Sequence, residues 1–220
     1  GRYREDINER DTVSVDLNVL AEAGPTIPHA FCDSEYVFLA NTHPDLQIEM
    51  LSQLHEPKFV ACDTMDLWID TERESLMKLL AKVDAVILND AEARQLTGET
   101  NVVKAGLALG KILKQYVVIK KGEHGALLFA GGQVYVAISY PAGDVVDPTG
   151  AGDSFAGGLM GYLAAQDTTS VLAVRKAMAY GAAVASLELE DFSLNRLIAL
   201  SRADIDARLA EIAAMTGFEG

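Results

Sequence analysis

The chain has 220 residues, half of them hydrophobic and 23% charged, with 18 basic against 32 acidic side chains and a formal net charge of −14. That length suits one large domain with a real core, and the acidic balance argues against broad contact with nucleic-acid phosphates or anionic lipid. A small anionic ligand held locally remains compatible with it. Cys32 and Cys62 are the only cysteines, too few for a disulfide framework, so a reducing, cytoplasmic setting is expected. No apolar run reaches the roughly 18 residues of a spanning helix, and no secretory signal is visible. The opening GRYREDINERDT reads like the middle of something, and the chain is expected to be part of a longer protein.

Four short apolar runs of buried-strand length follow: YVFLA (Tyr36–Ala40), KFVAC (Lys58–Cys62), DAVILN (Asp84–Asn89) and YVVIK (Tyr116–Lys120). Helical patterns separate them. PDLQIEMLSQL spaces Leu46, Met50, Leu51 and Leu54 along one face. In TERESLMKLLAKV, Thr71 with Glu74 three residues later predicts a capping box at a helix start. AEARQL and NVVKAGLALGKILKQ continue the alternation. The pattern predicts an α/β fold with a doubly wound, mostly parallel sheet, right-handed crossovers and helices on both faces. GEHGALLFAGGQVYVAIS predicts a hairpin turning at Gly131-Gly132, hence antiparallel edge strands. From Asp153 to Ala214 the chain reads as mostly helical. No repeat or interdomain linker interrupts it, so residues 1–220 read as a single domain.

In such sheets ligands bind beyond the carboxyl ends of the strands. Asn41, Asp63, Asn89 and Lys120-Lys121 follow the four runs, and parallel strands would gather them on one edge. Polar residues also follow strands simply because loops begin there.

The stretch VVDPTGAGDSFAGG (Val145–Gly158) is the most distinctive. Gly150, Ala151 and Gly152 leave the backbone bare, so several N–H groups can converge on one anion at the positive end of a helix. Asp153, read as a buried acid, has two interpretations. It is a first-turn acid stabilising the helix by roughly 0.5–2 kcal/mol, or a general base beside an anion hole. The turn alone does not choose between them. Asp147 stands ahead of Pro148 and could be a turn former. His29, His43, His55 and His124 are scattered, and no His, Cys and Asp grouping has zinc spacing. GDSFAGG is not a nucleophile elbow, and no Walker-type GxxxxGK[ST] occurs.

Four segments, in order, resemble the ribokinase-like carbohydrate kinases of the PfkB family. DPTGAGDSFAGG is similar to their C-terminal signature, and ILNDAEARQLTGE to their Asn-x-x-Glu segment. VVIKKGEHGALLF is similar to their nucleotide-side strand and turn, and AYGAAVASLELEDFS to the helix and loop flanking the adenine. The resemblance runs from about Tyr36 onward. It implies a three-layer α/β/α fold and transfer of the γ-phosphate of ATP to an alcohol of a sugar or nucleoside. It also implies Asp153 as base and Gly150, Ala151, Gly152 and the Asp153 N–H as anion hole. Asn89 and Glu92 would act on Mg²⁺ and the phosphates through water. Lys120, where many relatives carry a hydroxyl residue, and Gly122 would lie on the nucleotide side. Asn41 would touch the acceptor, and Asp147 and Thr149 match positions lining a K⁺ site in some relatives. The family's Gly-Gly segment, acidic sugar ligand and most of its β lid are absent, and residues 1–20 read as a lid-strand remnant. Relatives often pair through that lid, which implies a homodimer for the intact protein. The missing acceptor segment also supports a second reading, a nucleotide-binding regulatory or scaffolding fragment without turnover.

Overall fold

The computed structural model of the protein describes residues 2–3, 10–11, 13, 16, 18 and 24–216. The chain divides into two compact units. One holds residues 12–120 and 127–134, and the other holds 1–11, 121–126 and 135–220. The expectation for residues 1–20 falls largely outside the described residues. Within them, β1 (Arg2–Tyr3) pairs antiparallel with β2 (Arg10–Asp11).

The main sheet has six strands in the order β3 (Tyr36–Leu39), β4 (Phe59–Cys62), β5 (Ala85–Asn89), β6 (Tyr116–Lys120), β7 (Ala126–Ala130) and β8 (Gln133–Ala137). The first four are parallel, with Leu39 opposite Cys62, Cys62 opposite Val86 and Asn89 opposite Lys120. The links from β6 to β7 and from β7 to β8 are too short for a crossover, so these neighbours run antiparallel. Gly131 and Gly132 have φ of +56° and +78°, the left-handed pair that a two-residue hairpin requires.

Helices α1 (Pro44–Ser52), α2 (Asp66–Thr71), α3 (Arg73–Leu80), α4 (Asp90–Thr97) and α5 (Val102–Leu109) fill the crossovers. The parallel strands advance in one direction, so right-handed crossovers put these helices on one face. There Val60, Cys62, Val86, Leu88, Val117 and Ile119 pack with Leu76, Leu79, Leu80, Leu96 and Leu109. The alternate strand residues Phe59, Ala61, Ile87 and Val118 are equally buried, which is why β4, β5 and β6 read as continuous apolar runs. Thr71 is not the expected helix start. It ends α2, and its hydroxyl donates to the Leu67 carbonyl at 2.9 Å.

The other unit carries α6 (Ala151–Gln166), α7 (Val171–Glu188), α8 (Asn195–Ala199) and α9 (Arg202–Thr216). Ser170 caps α7 by accepting from the Ala173 N–H. Small residues let α6 and α7 cross closely: a Cβ on Gly181 would stand 2.6 Å from the Phe155 carbonyl oxygen. Among the described residues no helix is long and apolar enough to cross a membrane.

Candidate functional site

In the sheet unit the parallel register brings the carboxyl ends of β3 to β6 to one edge, and with them Asn41, Asp63, Asn89 and Lys120. Asn89 closes β5 and caps α4. Its Oδ1 accepts from the Glu92 N–H at 2.8 Å, while Glu92 Oε2 accepts from the Asn89 N–H at 2.8 Å. This reciprocal capping box leaves Glu92 Oε1 and the Asn89 amide nitrogen outside the pair. Burial pushes the Glu92 carboxyl above its ordinary value, opposed by the Asn89 N–H and by the Lys120 ammonium. A cation bound beside such a carboxyl would favour its charged form. A hard oxygen donor with an adjacent amide suits a hydrated magnesium ion, which takes few protein ligands.

Asn41 is held by the indole of Trp68, whose Nε1–H donates to its Oδ1 at 2.8 Å. Trp68 itself is buried and meets the His43 ring at 5.2 Å. His43, read from sequence as a loop start, caps α1 through an Nδ1 that accepts from the Asp45 N–H. Beyond β4, Asp63 and Thr64 are buried polar residues, and Thr64 Oγ1 has no hydrogen-bond partner.

In the helical unit, Gly150 precedes α6 at φ +100° and offers no side-chain cap. The Ala151 N–H bonds to Pro148 O, and the Ser154 N–H to Gly150 O. Those of Gly152 and Asp153 belong to a first turn, which has no intrahelical acceptors. The turn has bare amides at the positive end of a 16-residue helix. Asp153 sits in that turn and is exposed, so its reading as a buried acid is corrected. It lies two positions before buried Phe155, on the opposite side of the helix from the face that Phe155, Ala156, Leu159 and Leu163 bury.

Asp147 makes the local turn, its Oδ1 accepting from the Thr149 N–H at 2.9 Å. That bond and one from the Thr149 hydroxyl hold its carboxyl below the usual range. Gly122 opens a short 3₁₀ turn (Gly122–His124) at φ +55° after Lys121. Among the described residues no three His, Cys, Asp or Glu side chains converge as a metal cluster.

The acid that sequence reasoning missed is Glu188, at the end of α7. It is 1% exposed, and its Oε2 has no hydrogen-bond partner. Burial, then repulsion from Asp147 and Asp153, pushes it up to about 7. Its sequence signal was slight: it stands four and seven positions after Val184 and Gly181 on the face that α7 turns inward.

Residues 26–197 match the family model described as pfkB family carbohydrate kinase. The chain is 31% identical over 154 residues to a cytidine kinase of Thermococcus kodakarensis, covering 67% of this chain and 55% of that protein. It is 34% identical over 126 residues to a 2-dehydro-3-deoxygalactonokinase of Haloferax volcanii, covering 56% of this chain and 37% of that one. The chain therefore spans about half, or less, of the length of these curated relatives. Among solved structures it is similar to aminoimidazole riboside kinase from Salmonella enterica, complexed with aminoimidazole riboside and an ATP analogue, with TM-score 0.70, 19% identity, and 84% and 65% of the two chains covered. It is also similar to the nucleoside kinase of Methanocaldococcus jannaschii, an archaeal member of the ribokinase family, with TM-score 0.68, 20% identity, and 88% and 60% covered. These two likenesses establish the ribokinase-like fold expected from the sequence. On the match over residues 26–197, this chain belongs to the pfkB family of carbohydrate kinases.

Proposed function

We propose that the chain carries the phosphoryl-transfer part of an ATP-dependent kinase acting on an alcohol group of a sugar or nucleoside. The observation that supports this best is the start of α6, where Gly150 supplies a bare left-handed entry and Asp153 stands exposed in the first turn. Asp153 takes the proton from the acceptor hydroxyl, whose oxygen attacks the γ-phosphorus. The bond from that phosphorus to the β-bridging oxygen breaks, ADP leaves, and the proton stays on Asp153 until solvent removes it. The first-turn N–H groups of Gly152 and Asp153, joined by that of Ala151 if it leaves the Pro148 carbonyl, receive at the Gly150 turn the charge that grows on the transferred group.

Asn89 and Glu92 would hold Mg²⁺ through water, and a bound Mg²⁺ neutralises phosphate charge. Lys120 and Gly122 would serve the nucleotide, and Asn41, oriented by Trp68, would touch the acceptor. Asp147 and Thr149 would line a K⁺ site. A reducing cytoplasmic setting belongs to the same reading.

The test is Asp153→Asn in the intact protein, with ADP release measured across sugars and nucleosides and ATP binding measured by calorimetry. Turnover should fall at least 100-fold with ATP affinity kept, the range for losing a general base. Unchanged turnover would remove Asp153 as the base. ATP binding by the unaltered protein with no turnover on any acceptor would favour the non-catalytic, nucleotide-binding reading.

A further inference from the structure

Glu188 is the one buried acid of the helical unit among the described residues, and it stands where charge matters most. Its Oε1 lies 3.3 Å from the point where a Cβ on Gly150 would project, so the carboxyl flanks the entry to α6. Its other oxygen, Oε2, is buried without a hydrogen-bond partner. An unpartnered buried carboxylate is strongly disfavoured as an ion. Repulsion from two groups of the same sign, Asp147 in the preceding loop and Asp153 of α6, adds to this. The arginines that α8 and α9 bring to this end of α7 pair with other groups. Arg208 of α9 bonds Glu190 at 2.6 Å and the Ser186 hydroxyl at 2.8 Å, and Arg196 of α8 bonds Glu190 at 3.0 Å.

We propose that Glu188 is a positioning residue for the anion site at the start of α6: uncharged it lets the Gly150 turn hold a phosphoryl anion, and ionised it opposes that anion. The inference rests on the kinase reading of the same turn. Two features of the structure support it beyond the helix end itself, the unpartnered buried oxygen and the close approach of the carboxyl to Gly150. A carboxylate this near places a full negative charge beside the amides that should receive another one. Burial of Glu188 itself keeps that repulsion stronger than it would be between two solvated charges. A protonated carboxyl removes the charge and keeps the packing. With the group pushed up to about 7 by burial and its two acidic neighbours, both forms are populated near neutrality. The site then loses anion affinity as pH rises.

The experiment uses the intact protein and its Glu188→Gln variant, which keeps shape and removes the charge. ATP binding is measured calorimetrically from pH 6 to pH 8, with the variant as reference for the proton on the nucleotide itself. If only the uncharged form binds well, apparent affinity follows the protonated fraction, and the wild type loses about tenfold across this range relative to the variant. A second arm needs no ligand. Because the folded value is raised above the unfolded one, the folded wild type holds the extra proton between about pH 4.5 and 7, so stability falls as pH rises through that window. Glu188→Gln should remove this limb of the unfolding profile.

Equal pH dependence of ATP binding in the two proteins overturns the proposal while leaving nucleotide binding intact. An unfolding profile with the same limb in both overturns it as well, by assigning the proton to another group. Absence of ATP binding in both proteins at every pH overturns the kinase reading instead, and the ligand named here with it.

Discussion

Asn89 and Glu92 bind each other through two hydrogen bonds of 2.8 Å, each side chain accepting from the other's backbone N–H. The pair therefore has a structural duty, fixing the start of α4, as well as the proposed one toward Mg²⁺. The two duties separate by substitution. Gln fills the third position of a capping box as well as Glu, so Glu92→Gln should leave the melting temperature within a degree or two. Glu92→Ala should cost about 0.5–2 kcal/mol by losing the cap. Both variants should need more Mg²⁺ for half-maximal ADP release. A Gln variant with unaltered Mg²⁺ dependence would reduce Glu92 to a capping residue.

The same capping logic marks what the sequence could and could not reveal. The β4, β5 and β6 strands were legible because both of their faces are buried, leaving apolar runs with no competing period. Residues ending those strands, Asn89 and Lys120, followed from the parallel register. Thr71-x-x-Glu74 looked like a capping box because spacing alone says nothing about what precedes it. The six residues DLWIDT form a helix of their own, and Thr71 closes it. Asp153 was misjudged because apolar neighbours in sequence are not neighbours on a helix. Glu188 escaped because SLELED reads as a solvated helix end. Its carboxyl lies against Gly150, 38 positions earlier, and no local pattern carries that information.

The crossing of α6 and α7 predicts opposite outcomes for two glycines. A Cβ on Gly181 would stand 2.6 Å from the Phe155 carbonyl oxygen, whereas one on Gly157 would meet nothing within 4 Å. Gly181→Ala forces two backbones apart and should destabilise by about 1–3 kcal/mol. Gly157→Ala gains helix propensity in open space and should stabilise by about 0.5–1 kcal/mol. Chemical denaturation of the two variants checks the sign, and a stabilised Gly181→Ala would refute the close crossing.

Arg208 anchors α9 through three partners, Glu190, the Ser186 hydroxyl and the Tyr140 ring, whose centroid is 3.9 Å from its guanidinium carbon, and pairs with Glu211 of its own helix at 3.3 Å. Its forked geometry is the reason Lys cannot substitute. Arg208→Lys and Arg208→Met should both cost about 1.5–3 kcal/mol, the range for hydrogen bonds to charged groups. A pH signature accompanies this. Burial raises the Glu190 carboxyl, but the bonds from Arg208 and Arg196 outweigh it and hold the group below the usual range. A lowered value means the stabilisation is present above the unfolded value of about 4.5. It is lost as pH falls through the folded value. Arg208→Met should therefore flatten the acid limb of the unfolding profile below about pH 4.5.

Gly150 carries two separable constraints, a φ of +100° and a carboxyl 3.3 Å from its missing Cβ. Gly150→Ala meets both. The backbone term does not depend on any neighbour and is worth about 1–3 kcal/mol at a φ that L residues rarely adopt. The contact term falls on the end of a side chain and needs only a few tenths of an ångström of movement. A double-mutant cycle with Glu188→Ala apportions them, since coupling energy measures the contact alone. We expect Gly150→Ala to destabilise by about 1–3 kcal/mol, with coupling below about 0.5 kcal/mol. Coupling above about 1 kcal/mol would instead mean that Glu188 is rigidly fixed. Glycine would then be required at this turn as much by the buried acid beside it as by its own backbone.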